Sequence, residues 1–350
     1  MSTVSAVSGT AAPATRTGGS DPILVAGSVA TDHLLHFPGR FVEQIVGDHL
    51  DRLSLSFLVD ELVIRRGGVG ANIAYGLGVL GASPVLVAAV GPDFAEYRSW
   101  LEGHGVDCSG VVVSSTAHTA RFTCTTDDDQ CQLASFYPGA MSEARDIALA
   151  PLVERHAAGL LLVGADDPDA MIAHTVEARE LGVPFAADPS QQLPRLDRDQ
   201  CRTLVDGARY LFTNAYEWEL LTRRTGWDAA TVARRTGLRV TTLGADGILL
   251  VDADSEVRVP AVPADTVVDP TGGGDGFRAG FLAGIGHGLP SVRAAQLGAL
   301  VATAVLETAG AQEWRLDPVR DLARITDTYG PDAAADLGPL LHAAPDRVAR

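Results

Sequence analysis

Short apolar runs recur along the chain from residue 21 onward, separated by stretches with helical spacing. The runs occupy residues 22–27 (PILVAG), 84–89, 159–163, 184–187, 210–213, 238–242 and 247–251. The clearest helical stretches cover residues 69–80, 169–181 and 215–223. Strands that read as continuous apolar runs are buried on both faces, so the pattern predicts an α/β fold with a mostly parallel sheet between helices. Ligands of such sheets gather at the carboxyl ends of the strands.

Two segments depart from this rhythm and predict a small β-sheet lid. Residues 53–66 and 118–136 alternate as antiparallel strands do, the second around an acidic turn at 127–129. We expect the lid to come from about residues 34–66 and 118–136. Its apolar side chains would need cover from substrate or from a second subunit, unless these are ordinary edge strands. They are Phe57, Val59, Leu62 and Ile64.

One domain over residues 21–335 is predicted, because no repeat or change of composition divides it. Residues 1–20 are rich in Ser, Thr, Ala and Gly, which predicts a flexible tail without a secretory signal. Terminal helices are expected from about Asp317, and residues 336–350 form a tail or helix end.

Composition narrows the possible partners. The net charge is −17, which is unfavourable for a nucleic-acid groove, and no apolar run reaches the length of a membrane span. The four cysteines form no CxxC pair, which favours reduced thiols in the cytoplasm. All 27 basic residues are arginine. Walker A loops, protein kinases and Schiff-base enzymes are thereby excluded, since each requires a lysine.

The segment 269–277 (DPTGGGDGF) is the best candidate for chemistry. Gly272, Gly273 and Gly274 allow several backbone N–H groups to converge at a helix start, which favours an anion. Asp275 could then act as the base that takes a proton from an attacking hydroxyl. From the residues alone, a glycine-rich loop with Asp275 as a helix-terminal charge remains open.

The spacing D-x-T-G-x-G-D-x-F resembles the C-terminal signature of the ribokinase, or pfkB, family. Further marks of that family follow in order: Gly67-Gly68 with Asn72, Asn214-x-x-Glu217, and Thr242-Leu243-Gly244-x-x-Gly247. The resemblance implies a ribokinase-like three-layer αβα fold with a β-lid. It also implies an ATP-dependent kinase that acts on a hydroxymethyl group, with Mg²⁺ and commonly a monovalent cation such as K⁺.

The resemblance gives roles to single residues, each with a plainer structural alternative. Asn214 and Glu217 would hold Mg²⁺ through water, or merely cap a helix. Asn214, Thr242, Gly244 and Gly247 would contact ATP, or form a simple turn. Asp269 and Thr271 match the loop that holds the monovalent cation. Arg278, beside the motif, could offset phosphate charge in this lysine-free chain, although a structural role is favoured.

Within the family, the chain resembles actinobacterial adenosine kinases over residues 23–314. That likeness implies that adenosine is held by Ser28, Asp32, Ser56, Gly68 and Asn72, with Phe122 and Phe136 around the base and Gln192 beside it. Stacking of a purine on aromatic rings is physically reasonable. Gly298 and Ala299 depart from the family, which often places Asn near the adenine of ATP.

These observations favour an adenosine kinase with Asp275 as its base, acting as a homodimer formed through the lid. Two alternatives remain. The first is a kinase of the same fold that uses guanosine, inosine or ribose. The second is a non-catalytic nucleoside sensor on the same scaffold.

Overall fold

A computed structural model describes residues 22–44 and 56–342 of the chain. The predicted tail at residues 1–20, residues 45–55 of the predicted lid segment 34–66, and residues 343–350 of the predicted C-terminal tail or helix end lie outside this described part. Within it, none of the helices combines the length and the apolar character that crossing a membrane requires.

The described residues contain strands that build two separate sheets. In chain order they are β1 (Ile23–Ala26), β2 (Ala30–Phe37), β3 (Glu61–Gly67), β4 (Val85–Val90), β5 (Asp107–Val113), β6 (Ala120–Asp127), β7 (Gln132–Tyr137), β8 (Leu160–Val163), β9 (Phe185–Ala187), β10 (Tyr210–Asn214), β11 (Leu238–Thr242), β12 (Ile248–Val251) and β13 (Glu256–Val259).

The helices of the same residues follow in chain order. They are α1 (Phe41–Gln44), α2 (Val69–Val79), α3 (Ala95–Gly103), α4 (Ala150–His156), α5 (Pro168–Glu180), α6 (Arg198–Val205), α7 (Ala215–Thr225), α8 (Ala229–Arg235), α9 (Gly273–Gly286), α10 (Ser291–Leu306), α11 (Pro318–Tyr329) and α12 (Pro331–His342).

The large sheet has the strand order β13-β12-β11-β10-β9-β8-β1-β4-β5. Neighbours from β5 through β11 are parallel, whereas β12 and β13 are antiparallel. The predicted mostly parallel sheet is therefore confirmed. Strands β5 and β13 were not predicted from the sequence. Each lies at an edge of the sheet and contains polar residues, so neither forms a continuous apolar run.

Helices cover both faces of the large sheet, as predicted. Ile23 and Val25 face an apolar core shared with α2, α3 and α9–α12, while Leu24 and Ala26 face a second core shared with α4–α8. Helices α9 and α10 pack closely, since a Cβ on Gly280 would lie 2.7 Å from Cα of Gly298. Gly298 therefore serves helix packing.

The second sheet is the lid, with strand order β3-β2-β6-β7. The β6–β7 hairpin is antiparallel and turns at the predicted acidic segment, whereas β2 and β6 pair in parallel. Strand order places β2 at the centre of the lid, although its own sequence indicated only its second half.

The register of the lid decides which face its apolar residues occupy. Asp32 pairs with Arg65, so Leu62 and Ile64 lie on the opposite face from Asp32. They are 54% and 58% exposed. Phe57 instead packs against Phe37, with ring centroids 4.9 Å apart. Asp32 faces the cavity described below, so a substrate in that cavity cannot cover Leu62 and Ile64. The prediction that substrate could cover these two side chains is therefore wrong.

Candidate active site

A central cavity of about 520 Å³ lies where the lid faces the carboxyl ends of the large sheet. Most of the predicted site residues line it. They are Ser28, Asp32, Gly68, Asn72, Phe122, Phe136, Gln192, Asn214, Glu217, Thr242, Thr271, Gly272, Gly274 and Asp275. Residues up to about 250 positions apart in sequence are brought together because parallel strands point their carboxyl ends to one edge.

A second cavity of about 570 Å³ adjoins the first, and both are lined by Thr242 and Gly274. Gly244, Gly247 and Gly273 line only the second one. Its walls also carry apolar side chains, among them Val267, which is 60% exposed, and Ala299. An apolar slot beside a helix N-terminus suits a nucleotide, whose base is flat and whose phosphates are anionic.

The glycine motif forms the N-terminus of helix α9, as predicted. Gly272 precedes the helix with φ +80°, and a Cβ there would lie 2.4 Å from the Cβ of Ala311. A Cβ on Gly274 would lie 2.8 Å from Nη1 of Arg278. A side chain is therefore excluded at position 272, and one at position 274 would displace the Arg278 guanidinium. The Gly273 N–H donates to the carbonyl oxygen of Pro270 at 3.4 Å and the Gly276 N–H to that of Gly272 at 2.8 Å, which leaves the N–H groups of Gly274 and Asp275 for an anion at the junction of the two cavities.

Asp275 stands in the first turn of α9 and is held by Asn72. Nδ2 of Asn72 donates a hydrogen bond of 2.8 Å to Oδ2 of Asp275. Burial raises the pKa of Asp275 above its ordinary value, while Arg278 and the Asn72 hydrogen bond oppose that rise. A carboxylate with a raised pKa at the mouth of an anion site can accept a proton from a bound hydroxyl.

Arg278 forms a buried ion pair with a residue that the sequence analysis missed. Its Nε lies 2.6 Å from Oδ2 of Asp188, and the two side chains are 6% and 0% exposed. Nη2 of Arg278 also lies 3.9 Å from Glu217. Burial raises the pKa of Asp188 to about 7, although Arg278 lowers it. The available signal was the position of Asp188 directly after β9, at the carboxyl edge of the sheet.

Asn214 and Glu217 form a capping box at the start of α7. Oδ1 of Asn214 accepts from the Glu217 N–H, and Oε2 of Glu217 accepts from the Asn214 N–H, both at 2.8 Å. The helix-capping role, which was the structural alternative to Mg²⁺ binding, is therefore present in the structure. It leaves Oε1 of Glu217 without a capping contact, so the predicted Mg²⁺ role stays a prediction.

The turn between β3 and α2 packs directly on the residues after β1. Oγ of Ser28 accepts a 3.1 Å hydrogen bond from the Val69 N–H. Gly68 adopts φ +95°, and a Cβ there would lie 2.5 Å from the carbonyl oxygen of Ser28. This close approach makes glycine necessary at position 68 and places Ser28 and Asn72 on the same wall of the cavity.

One row across the lid carries Asp32, Phe122 and Phe136, which are paired in register on adjacent strands. Side chains at paired positions share a face, so these three point together into the cavity. Burial raises the pKa of Asp32, while Arg65, its partner on β3, lowers it. Arg65 was not among the predicted residues.

Some predicted residues lie away from the central cavity. Ser56 is exposed and lines neither cavity. Asp269 closes its own loop, because Oδ1 accepts from the Thr271 N–H at 2.9 Å and Oδ2 from the Gly310 N–H at 3.0 Å. The cation role of Asp269 and Thr271 therefore stays a prediction. Within residues 22–44 and 56–342, no three His, Cys, Asp or Glu side chains cluster to hold a metal.

Comparisons with known proteins agree with this geometry. The family model described as "pfkB family carbohydrate kinase" matches residues 29–317. A nucleoside kinase from Methanothermobacter thermautotrophicus is 28% identical over 311 residues, covering 88% of this chain and 96% of the relative.

Solved structures give the same picture. The nucleoside kinase of Burkholderia thailandensis in complex with inosine has a TM-score of 0.76 at 34% identity and covers 88% of this chain and 98% of that one. An adenosine kinase from Sinorhizobium meliloti has a TM-score of 0.66 at 22% identity, covering 84% and 96%, which shows a shared fold.

Proposed function

The chain belongs to the pfkB family of carbohydrate kinases, and on that premise we propose that it is an adenosine kinase of purine salvage. It would transfer the γ-phosphoryl group of ATP to the 5′-hydroxyl of adenosine, giving AMP and ADP. One observation carries the proposal. Asp275, at the N-terminus of α9, faces the same cavity as the lid row of Asp32, Phe122 and Phe136.

The contacts of Asp275 support the following course for the transfer. Oδ2 of Asp275 is taken by Asn72, so Oδ1 receives the proton of the 5′-hydroxyl. The 5′-oxygen forms a bond to the γ-phosphorus, while the bond to the β,γ-bridging oxygen breaks and its electron pair leaves with ADP. N–H groups of the first turn of α9 stabilise the negative charge that develops on the γ-phosphoryl oxygens.

ATP would occupy the second cavity, with its γ-phosphate at the shared wall of Thr242 and Gly274. One free carboxylate oxygen of Glu217 fits Mg²⁺, which commonly binds through one carboxylate, waters and substrate phosphates. Mg²⁺ would supply charge neutralisation on the phosphates. We extend the proposal to K⁺ at Asp269 and Thr271, and equal activity in K⁺ and in tetramethylammonium buffers would remove it.

Adenosine is favoured over a bare sugar because two aromatic side chains line the nucleoside cavity. Gln192 adds a polar feature, since its buried Oε1 has no hydrogen-bond partner among the described residues. The exocyclic amine of adenine could donate to this oxygen. A side-chain amide can also turn to donate, so inosine is the second candidate, favoured by the 34% identical relative that binds it.

The deciding experiment measures ADP release by the full chain with adenosine, inosine, guanosine and ribose. We expect the highest kcat/KM with adenosine. Asp275→Asn should lower kcat by about 10²- to 10⁴-fold, the usual effect of a general base. Adenosine affinity by calorimetry should change little, because the amide oxygen introduced by that substitution would still accept the Asn72 hydrogen bond.

Other outcomes assign other functions. Preference for inosine or ribose would replace the substrate but keep the reaction. Near-normal turnover of Asp275→Asn would refute the base. Adenosine binding without ADP formation by the wild type would support a nucleoside sensor.

We also propose a homodimer formed through the lid. Leu62 and Ile64 are more than half exposed on the face that points away from the cavity, and a second lid would cover them. Light scattering at micromolar concentration should give twice the 36.5 kDa chain mass. A particle of one chain mass would contradict the dimer.

A further inference from the structure

A line of hydrogen bonds runs behind the proposed base, away from the cavity. Gln312, in the loop between α10 and α11, is 1% exposed. Its Nε2 donates to Oδ1 of Asn72 at 2.8 Å, and its Oε1 accepts from Nε1 of Trp100 at 3.2 Å. Asn72 in turn donates to Asp275. The order Trp100, Gln312, Asn72, Asp275 spans three elements and one loop.

Trp100, the first member, favours one direction for every bond in this line. An indole nitrogen can only donate, so Trp100 requires the oxygen of the Gln312 amide on its side. The NH₂ group of Gln312 then faces Asn72, which must present Oδ1 to accept it. The NH₂ group of Asn72 is thereby left to point at Asp275, where a carboxylate needs a donor.

We propose that Trp100 and Gln312 are positioning residues, which fix the orientation of the Asn72 amide so that it always donates to Asp275. The proposal rests on the proposed function, in which Asp275 is the base. Without the line, Asn72 could turn by half a rotation and place its oxygen against the carboxylate at the same shape and volume. An ionised Asp275 accepts only, whereas a protonated Asp275 could donate to the Asn72 oxygen, so a fixed donor behind Gln312 keeps the orientation that suits the ionised form.

A second branch ties the same amide to the substrate turn. Nε2 of Gln312 also donates to the hydroxyl oxygen of Tyr97. The Tyr97 hydroxyl donates to the carbonyl oxygen of Gly67 at 2.9 Å. Burial raises the pKa of Tyr97, so its hydroxyl keeps its proton. Gln312 thus contacts Asn72, the partner of the base, and is linked through Tyr97 to the Gly67 carbonyl beside Gly68.

The orientation of Asn72 has a measurable consequence. Its hydrogen bond is one of the two interactions that lower the pKa of Asp275 against the effect of burial. If Asn72 turns, that bond is lost and the pKa of Asp275 rises further. A base must be ionised to work, so the acid limb of the kcat/KM profile moves to higher pH while activity at alkaline pH persists.

Trp100→Phe tests the line with little change in packing. The ring stacks on Tyr75, is half-buried and lies under Arg66, contacts that a phenyl ring largely keeps. Trp314→Phe is the matched control, because its indole N–H donates only to the carbonyl oxygen of Ala311, outside the line. Both variants, the wild type and Asp275→Asn are assayed for ADP release with adenosine from about pH 5 to pH 9.

We expect the acid limb of Trp100→Phe to lie about one pH unit above that of the wild type, a roughly tenfold loss at the acid end. Trp314→Phe should keep the wild-type limb, whatever its stability. Gln312→Met removes the contacts to Trp100 and to Tyr97 together, so it should show at least the same shift, and it serves alone if Trp100→Phe fails to fold. A uniform loss across the pH range, or coinciding limbs for the two tryptophan variants, overturns the proposal.

Asp275→Asn separates this failure from failure of the proposed function. If that variant is inactive and the limbs coincide, only the positioning role falls. If it retains turnover, Asp275 is not the base and both proposals fall together.

Discussion

Replacing Gly68 by alanine should damage both stability and nucleoside binding. Its φ is +95° and its ψ is 131°, a conformation that L-residues rarely adopt. A Cβ would lie 2.5 Å from O of Ser28, 2.6 Å from N of Ala30 and 2.7 Å from Cα of Val29. All three are backbone atoms, so no side chain can rotate away and the segment after β1 must move.

The expected magnitude follows from these two effects. An unfavourable backbone conformation costs about 1–3 kcal/mol, and overpacking typically costs about 1–3 kcal/mol more. We expect the free energy of unfolding to fall by about 3 kcal/mol or more. At about 2 cal/mol/K of unfolding entropy per residue, a chain of 350 residues loses roughly 4 °C in Tm for 3 kcal/mol.

The assay combines urea unfolding with kinetics of both substrates. KM for adenosine should rise at least about tenfold, because Ser28 and Asn72 lie on either side of the contact, while KM for ATP changes little. Gly288→Ala is the matched control, since Gly288 has φ +76° but no atom within 4 Å of its Cβ position. It should cost about 1 kcal/mol and leave kinetics unchanged. Equal effects of the two substitutions on stability and on KM would refute the reasoning.

Two further predictions concern the charge cluster and the lid. Arg278→Met removes one partner of a buried ion pair, so we expect a loss of about 3–5 kcal/mol in urea unfolding. Because Arg278 lowers the pKa of Asp275, the acid limb of kcat/KM should also move to higher pH, and an unshifted limb would contradict this. Phe136→Ala should raise KM for adenosine about tenfold or more by loss of stacking, with little change in Tm since the ring is 48% exposed. Tyr137→Ala, equally exposed on the other face of β7, should leave that KM unchanged, and a matching rise would argue against stacking.

The sequence alone determined the inner strands of the large sheet and the location of the glycine-rich start of α9. Strands such as β1 and β8 are buried on both faces and must be apolar throughout. Such strands can be predicted from their own residues. The glycine-rich helix start before Asp275 could be predicted for a related reason. A helix start that is suited to bind an anion has little side-chain bulk, and consecutive glycines indicate this in the sequence. Both features are local, so neighbouring residues suffice to define them.

Only the tertiary structure decided which side chains meet behind and beside that site. Gln312 contacts Asn72 across 240 positions of sequence. Asp188, which follows β9, pairs with Arg278 in α9. The sequence pattern does not reveal these contacts, because a buried amide or carboxylate can occur at any position where the fold supplies a hydrogen-bond partner. The pairing of β2 with β6 and the outward face of Leu62 depend likewise on strand order. These contacts are set by the order in which the strands assemble, which no short stretch of the chain contains.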